Sequence, residues 1–215
     1  MDKFNTRACW ETSDLKNKTD WIFQITDKEK NQLHDLIHSI YEKDKNLFDY
    51  SPNEFDFGSS WGTIEKALSE ALHGRGLVIV KGLPRDDLSH EKFRLLSWGI
   101  GLRAGVARPQ GLASQYIAAV RDVGTNYRAA NGRGYSSNAK LDFHVDGADL
   151  TTLTCYNKAK SGGQSMISSG VTAQSYLIKE RPDLAETARE YFYFSRQSEQ
   201  ADDETPFCGQ PLFEE

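Results

Sequence analysis

The chain has 215 residues, 38% of them apolar, a formal net charge of −5 and three cysteines. That length can bury a real core in one large domain, while an acidic chain without a lysine–arginine cluster excludes the basic footprint of a nucleic-acid surface. No apolar run approaches the ~20 residues a membrane-spanning helix needs, Met1-Asp2-Lys3-Phe4-Asn5 opens no secretory core, and Cys9, Cys155 and Cys208 are too scattered for a disulfide framework or a CxxC metal pattern, which points to a reducing, cytoplasmic setting.

Residues up to about 21 are polar and mixed, with Trp10 and Trp21 available to anchor onto a later core. Thr26-Asp27-Lys28-Glu29 reads as a capping box, threonine at the N-cap and glutamate at N3. Behind it Leu33, Leu36, Ile37, Ile40 and Tyr41 recur at helical spacing and predict an amphipathic helix to about Asn46. The same helix carries His34 and His38 at i and i+4, in a string that imitates the HExxH zinc motif with aspartate for glutamate. Asp35 would hold a general base about one methylene short, and the pair flanks the apolar stripe among charged residues. A solvated helix edge is the preferred reading, a zinc hydrolase the rival.

Residues 48–61 read as loop, broken at Ser51-Pro52-Asn53 and Gly58-Ser59-Ser60. A second helix is expected from Thr63 through Leu72, stopped at His73-Gly74-Arg75-Gly76. Leu77-Val78-Ile79-Val80 is a continuous apolar run bounded by glycine and proline, which predicts a strand buried on both faces. Ser89 caps a third helix to Gly99, with Phe93, Leu95, Leu96 and Trp98 for packing. From Gly99 to Ser137 recurrent glycines break the periodicity, leaving Tyr116–Val120 as a candidate strand. Arg103, Arg108, Arg121, Arg128 and Arg133 are spread through this region, mostly as solvated side chains, with one or two available to an anionic substrate.

Leu150–Tyr156 and Gln164–Ser169 are rich in β-forming residues and flank a glycine-containing turn, so they are expected to pair antiparallel. Gly162 and Gly163 would supply the positive φ of that turn. Thr172–Glu180 reads as a helix closed by Arg181-Pro182, with a further helical turn or two from Asp183 through Ala188 leading into Tyr191–Phe194. The tail from Gln200 is acidic and lacks a closing element.

The stretch with the most chemistry is Asp142-Phe143-His144-Val145-Asp146. In an extended segment side chains at i and i+2 leave the same face, roughly 6–7 Å apart along the backbone. His144 and Asp146 can then offer an imidazole nitrogen and a carboxylate oxygen to one divalent ion. Two histidines and a carboxylate with open positions make the facial triad of non-haem iron oxygenases, and two of those three ligands stand here. A histidine hydrogen-bonded to its neighbouring carboxylate is the plainer alternative.

Three strings together, Arg75–Leu83, Phe143–Asp146 and Lys158–Ser165, resemble the TauD/TfdA family of Fe(II)/2-oxoglutarate-dependent dioxygenases, over about residues 60–215. The family shows an apolar strand ending at glycine, a His-x-Asp and a Gly-Gly-x-Ser/Thr turn at much this distance. The resemblance implies an α+β fold, a double-stranded β-helix (jelly roll) with flanking N-terminal helices: residues 1–60 as an extension and 61–215 as a partial dioxygenase domain. It implies His144 and Asp146 as iron ligands, and Ser165 as a hydroxyl contacting a carboxylate of the cosubstrate 2-oxoglutarate. Ser165 reads equally well as a strand serine satisfied by backbone. Further implications are a small-molecule substrate and O₂, with neither nucleic acid nor membrane as partner.

The chain departs from the family pattern in one respect. The family places its second histidine ligand, and an arginine for the distal carboxylate of 2-oxoglutarate, well C-terminal of the turn, yet no histidine follows His144. The expectation is therefore the N-terminal part of a longer enzyme, inactive as it stands. The alternative is a remnant of the fold serving as an interaction or regulatory module.

Overall fold

The protein is described by a computed structural model covering residues 6–109, 115–126, 134–196 and 200–213. It divides into two compact units: residues 1–107 with 148–173, and residues 108–147 with 174–215.

In the first unit the capping box forms as read. Thr26 accepts from the Glu29 amide, and the Glu29 carboxylate accepts from the Thr26 amide at 2.8 Å, opening α2 (Asp27–Ile40). Leu33 and Ile37 are fully buried on its inner face. The helix ends at Ile40 rather than near Asn46, because the Glu42 amide donates to the hydroxyl of buried Tyr50 instead of to a helical carbonyl.

Glu29 also ties α2 to the next helix. The hydroxyl of Thr63 donates to its second carboxylate oxygen at 2.7 Å, and Ser60 donates to the Glu29 carbonyl at 3.0 Å. This explains why α3 (Ser59–His73) starts four residues before the expected Thr63. The backbone amide of Thr26, then the hydroxyls of Thr63 and Thr26, hold the Glu29 carboxyl below its ordinary 4.5. A carboxylate with a lowered pKa contributes stability above that ordinary value and loses it as pH falls through the lowered one. Glu29→Gln should therefore destabilise the protein by about 1–3 kcal/mol at pH 7 and by clearly less at pH 3, read from urea midpoints at both pH values. An equal loss at both pH values would contradict the charged-acceptor role.

Trp10 is buried and its indole donates to the Arg75 carbonyl at 2.9 Å, whereas the Trp21 indole bonds locally to Lys18. A one-turn helix α1 (Thr12–Leu15) leads into β1 (Ile22–Gln24), an element the sequence pattern does not announce. It pairs parallel with β2 (Ile79–Lys81) in the register Ile22–Ile79, Phe23–Val80, Gln24–Lys81. The two helices α2 and α3 lie between them in sequence and make the crossover a parallel pair requires. Among the described residues β2 has a single strand neighbour, and α3 packs on the pair. The expectation of a strand buried on both faces is thus corrected: Ile79 is 41% exposed.

Ser89 caps α4 (His90–Ala104) through the Lys92 amide. The helix runs through Gly99 and Gly101 instead of stopping there. A methyl at Gly99 would overlap ring carbons of Phe55, so glycine at this point permits close packing rather than marking a break. Phe55, Phe57, Leu33, Ile37, Leu95 and Leu96 form the centre of the core, with Ile64, Ala67, Leu88 and Phe93 around them.

The expected antiparallel pair Leu150–Tyr156 and Gln164–Ser169 is not formed, nor is a strand at Tyr116–Val120. β-Propensity reports a fit to strand neighbours rather than an intrinsic preference, and at Tyr156 the backbone carbonyl accepts from the Arg85 guanidinium instead. Gly162 and Gly163 do take positive φ, 73° and 74°, although the segment around them forms bends rather than a hydrogen-bonded turn.

In the second unit the Arg121 and Val123 amides donate to the carbonyls of Tyr135 and Ser136. Helix α5 (Gly170–Glu180), which begins in the first unit, is followed by α6 (Pro182–Thr187), with proline in the first turn where its missing N–H costs nothing. β3 (Phe192–Ser195) and β4 (Phe207–Gln210) then form an antiparallel hairpin, a closing element that the tail was not expected to carry.

The content is α+β. Among the described residues the strands make two two-stranded sheets, and these do not by themselves close a double-stranded β-helix. No described helix is long and apolar enough to cross a membrane.

Candidate metal centre

His144 and Asp146 lie in an irregular stretch of the second unit, between a bend at Phe143 and bends from Gly147. The His144 ring is oriented by its own backbone: Nδ1 lies 2.7 Å from the Asp142 carbonyl oxygen. A carbonyl only accepts, so Nδ1 donates to it, and in the neutral form of the ring the free lone pair then lies on Nε2. This is the arrangement in which a metal-binding histidine is held by a carbonyl behind it.

Nε2 lies 3.9 Å from Asp146 Oδ1. That is too long for a hydrogen bond but within ion-pair range for a protonated ring. It is about 1 Å longer than the ~3 Å separating two donors that meet one ion at a right angle with bonds of ~2.1 Å. Both side chains are 57% exposed, so neither is committed to packing. An imidazole nitrogen beside a carboxylate is a donor set that fits a divalent metal ion.

Among the described residues no group of three histidine, cysteine, aspartate or glutamate side chains is assembled. The other histidines belong to the first unit. His38 has Nδ1 2.6 Å from Lys92 Nζ and Nε2 3.5 Å from the Asp87 carbonyl, while His34 Nδ1 faces Asp35 at 3.0 Å. The two rings lie 4.2 Å apart, tilted by 40°, on the helix flank. His90 lies edge-on to the Tyr156 ring.

Ser165 is in the first unit, exposed, two residues after Gly163. Of the scattered arginines, Arg103 stacks over the Trp61 ring at 4.8 Å, Arg108 and Arg121 are exposed, and Arg128 and Arg133 lie outside the described residues. All three cysteines are free. The Asp142 carbonyl is invisible to sequence reasoning because a backbone acceptor leaves no mark on residue type.

The profile of the "Taurine catabolism dioxygenase TauD, TfdA family" matches residues 43–215. The chain is 22% identical over 208 residues to FR-33289 synthase of Streptomyces rubellomurinus, covering 96% of this chain and 61% of that protein. It is 22% identical over 199 residues to the taurine hydroxylase-like protein SAT17 of Stachybotrys chartarum, covering 87% of this chain and 51% of the relative. The chain thus spans between half and three-fifths of the length of these curated relatives.

Proposed function

The chain belongs to the TauD/TfdA dioxygenase family, and from that premise we propose that it carries part of the active site of an Fe(II)- and 2-oxoglutarate-dependent dioxygenase that oxidises a small organic substrate. The observation that carries this reading is the Nε2 of His144, freed by the Asp142 carbonyl and facing the Asp146 carboxylate at 3.9 Å. Bound there, Fe(II) would supply O₂ activation coupled to oxidation of 2-oxoglutarate, the chemistry no side chain can provide.

The residues themselves have three tasks in this proposal. His144 gives a neutral nitrogen and Asp146 a negative charge, a pairing that holds a divalent ion while leaving it net positive. The Asp142 carbonyl keeps the imidazole in the metal-binding tautomer. Ser165 donates its hydroxyl to a carboxylate of 2-oxoglutarate, recognising an anion without adding charge to the site.

A facial triad needs a third donor, and no histidine follows His144. We place that histidine, the arginine for the distal carboxylate, and the strands completing a double-stranded β-helix outside these 215 residues, with residues 61–215 as a partial domain and 1–60 as its extension. Three free cysteines suit a cytoplasmic enzyme. The missing third donor also favours a second reading, a non-catalytic remnant acting as an interaction or regulatory module.

Succinate formation separates the two. The intact enzyme, given Fe(II), O₂ and its substrate, should release one succinate per 2-oxoglutarate consumed and none without iron. Absence of succinate from protein shown to be folded and iron-supplied would leave the remnant reading.

A further inference from the structure

Residues 157–168 are exposed throughout and carry Gly162, Gly163 and Ser165. The two ends of this loop are held by first-unit groups that are distant in sequence. At its start, Arg85 Nε donates to the Tyr156 carbonyl, Nη2 donates to the Asn157 side-chain oxygen, and the guanidinium lies 4.3 Å from the Tyr156 ring centroid. Phe93 and His90 of α4 border the same ring, at centroid distances of 5.5 and 5.2 Å. At its end, buried Ser169 donates to the Ala8 carbonyl at 2.5 Å while accepting from the Thr172 amide. Thr172 Oγ1 donates to the Trp10 carbonyl at 2.9 Å, and the Trp10 indole in turn is bonded to Arg75.

We propose that these two clamps set the position of Ser165, and that Arg85 is a positioning residue for the 2-oxoglutarate subsite. The proposal rests on the preceding reading of Ser165. The chemistry of the first clamp is specific to arginine. A planar fork reaches a backbone carbonyl and a side-chain oxygen together while its face stacks on an aromatic ring, and a lysine ammonium cannot do both. The second clamp is made by a segment that lies ahead of the family match, which begins at residue 43. The N-terminal extension therefore serves the loop as well as the core. Holding both ends narrows the range the loop can sample, which lowers the entropic cost of bringing its hydroxyl to an anion.

Two measurements test this. Trypsin cleavage at Lys158 and Lys160 reports local opening of the loop. Arg85→Met, Arg85→Lys and Asn157→Ala should each be cut about tenfold faster than wild type, as expected when a hydrogen bond to a charged group is lost, with the thermal midpoint little changed. Thr172→Val should act likewise from the other end. Asn157 is exposed, so its variant remains informative if the Arg85 variants fold poorly. Unchanged cleavage in folded Asn157→Ala and Arg85→Met overturns the clamp.

In the intact enzyme, Arg85→Met should raise KM for 2-oxoglutarate about tenfold with kcat within about twofold. A fall in kcat with KM unchanged would mean loss of folded enzyme and would overturn the positioning role. If wild type shows no dependence on 2-oxoglutarate, the functional reading and the purpose assigned to the clamp fall together, while the trypsin result still decides whether the clamp exists.

Discussion

Asp146→Ala and His144→Ala in the intact enzyme are each expected to reduce turnover by more than about a hundredfold while leaving the fold in place. The magnitude follows from a comparison: altering a group that merely orients a metal ligand costs about 10–100-fold, so deleting a ligand must cost more. The two halves of the expectation separate because both side chains are 57% exposed, and surface substitutions away from special features shift stability by about 0.5 kcal/mol or less. Steady-state succinate release gives the first half and a urea melt the second. Retained 2-oxoglutarate oxidation in either variant would remove the residue from the site. Asp146→Asn is the sharper variant, since it keeps the shape and one oxygen donor but discards the charge.

Phe55→Ala is expected to have the largest effect on stability, about 3–5 kcal/mol, the usual cost of emptying a buried phenylalanine site. Phe55 is fully buried, borders the rings of Tyr50 and Phe57, and lies against Gly99 in α4. Against a typical total of about 5–15 kcal/mol, that loss leaves a protein that unfolds in mild denaturant. The midpoint should fall at constant m-value. The reciprocal change, Gly99→Ala, sets two terms against each other. Alanine gains about 1 kcal/mol in a helix interior, but overpacking a closed site costs about 1–3 kcal/mol, and here the added methyl falls on ring carbons that are themselves fully enclosed. Overpacking wins, and the variant is expected to be less stable. A gain in stability on Gly99→Ala would show that the Phe55 ring can move aside.

What could be read in advance was what local chemistry determines. The Thr26–Glu29 box, the Ser89 cap, the stop at His73-Gly74, the positive φ of Gly162-Gly163 and the end of α5 at Arg181-Pro182 all depend on neighbours within a few residues, and all were legible. The failures share a cause of the opposite kind. The continuation of α4 through Gly99 is decided by a ring 44 positions earlier in the chain. The early start of α3 is decided by Glu29 on another helix. The strand-like runs at Leu150–Tyr156 and Gln164–Ser169 had the right residue types but no partner, and without one such residues make no ladder.

The candidate site divides in the same way. His144, Asp146 and Ser165 stand out because their types and spacing carry chemistry. Asp142 contributes a carbonyl, and Arg85 makes its contacts with residues 71 and 72 positions further along the chain. Neither could be recognised from residue type.

The central claim is that residues 144 and 146 grip one ion together, and it is tested most directly by watching the His144 imidazole while a divalent ion is added. In a sample carrying ¹⁵N-histidine, titration with Mn(II), a paramagnetic ion of the same ligand preference, should broaden the His144 resonances first, and in Asp146→Ala the same broadening should need about tenfold more metal or more. Broadening that begins at His34 and His38, or that is indifferent to the loss of Asp146, would contradict the account.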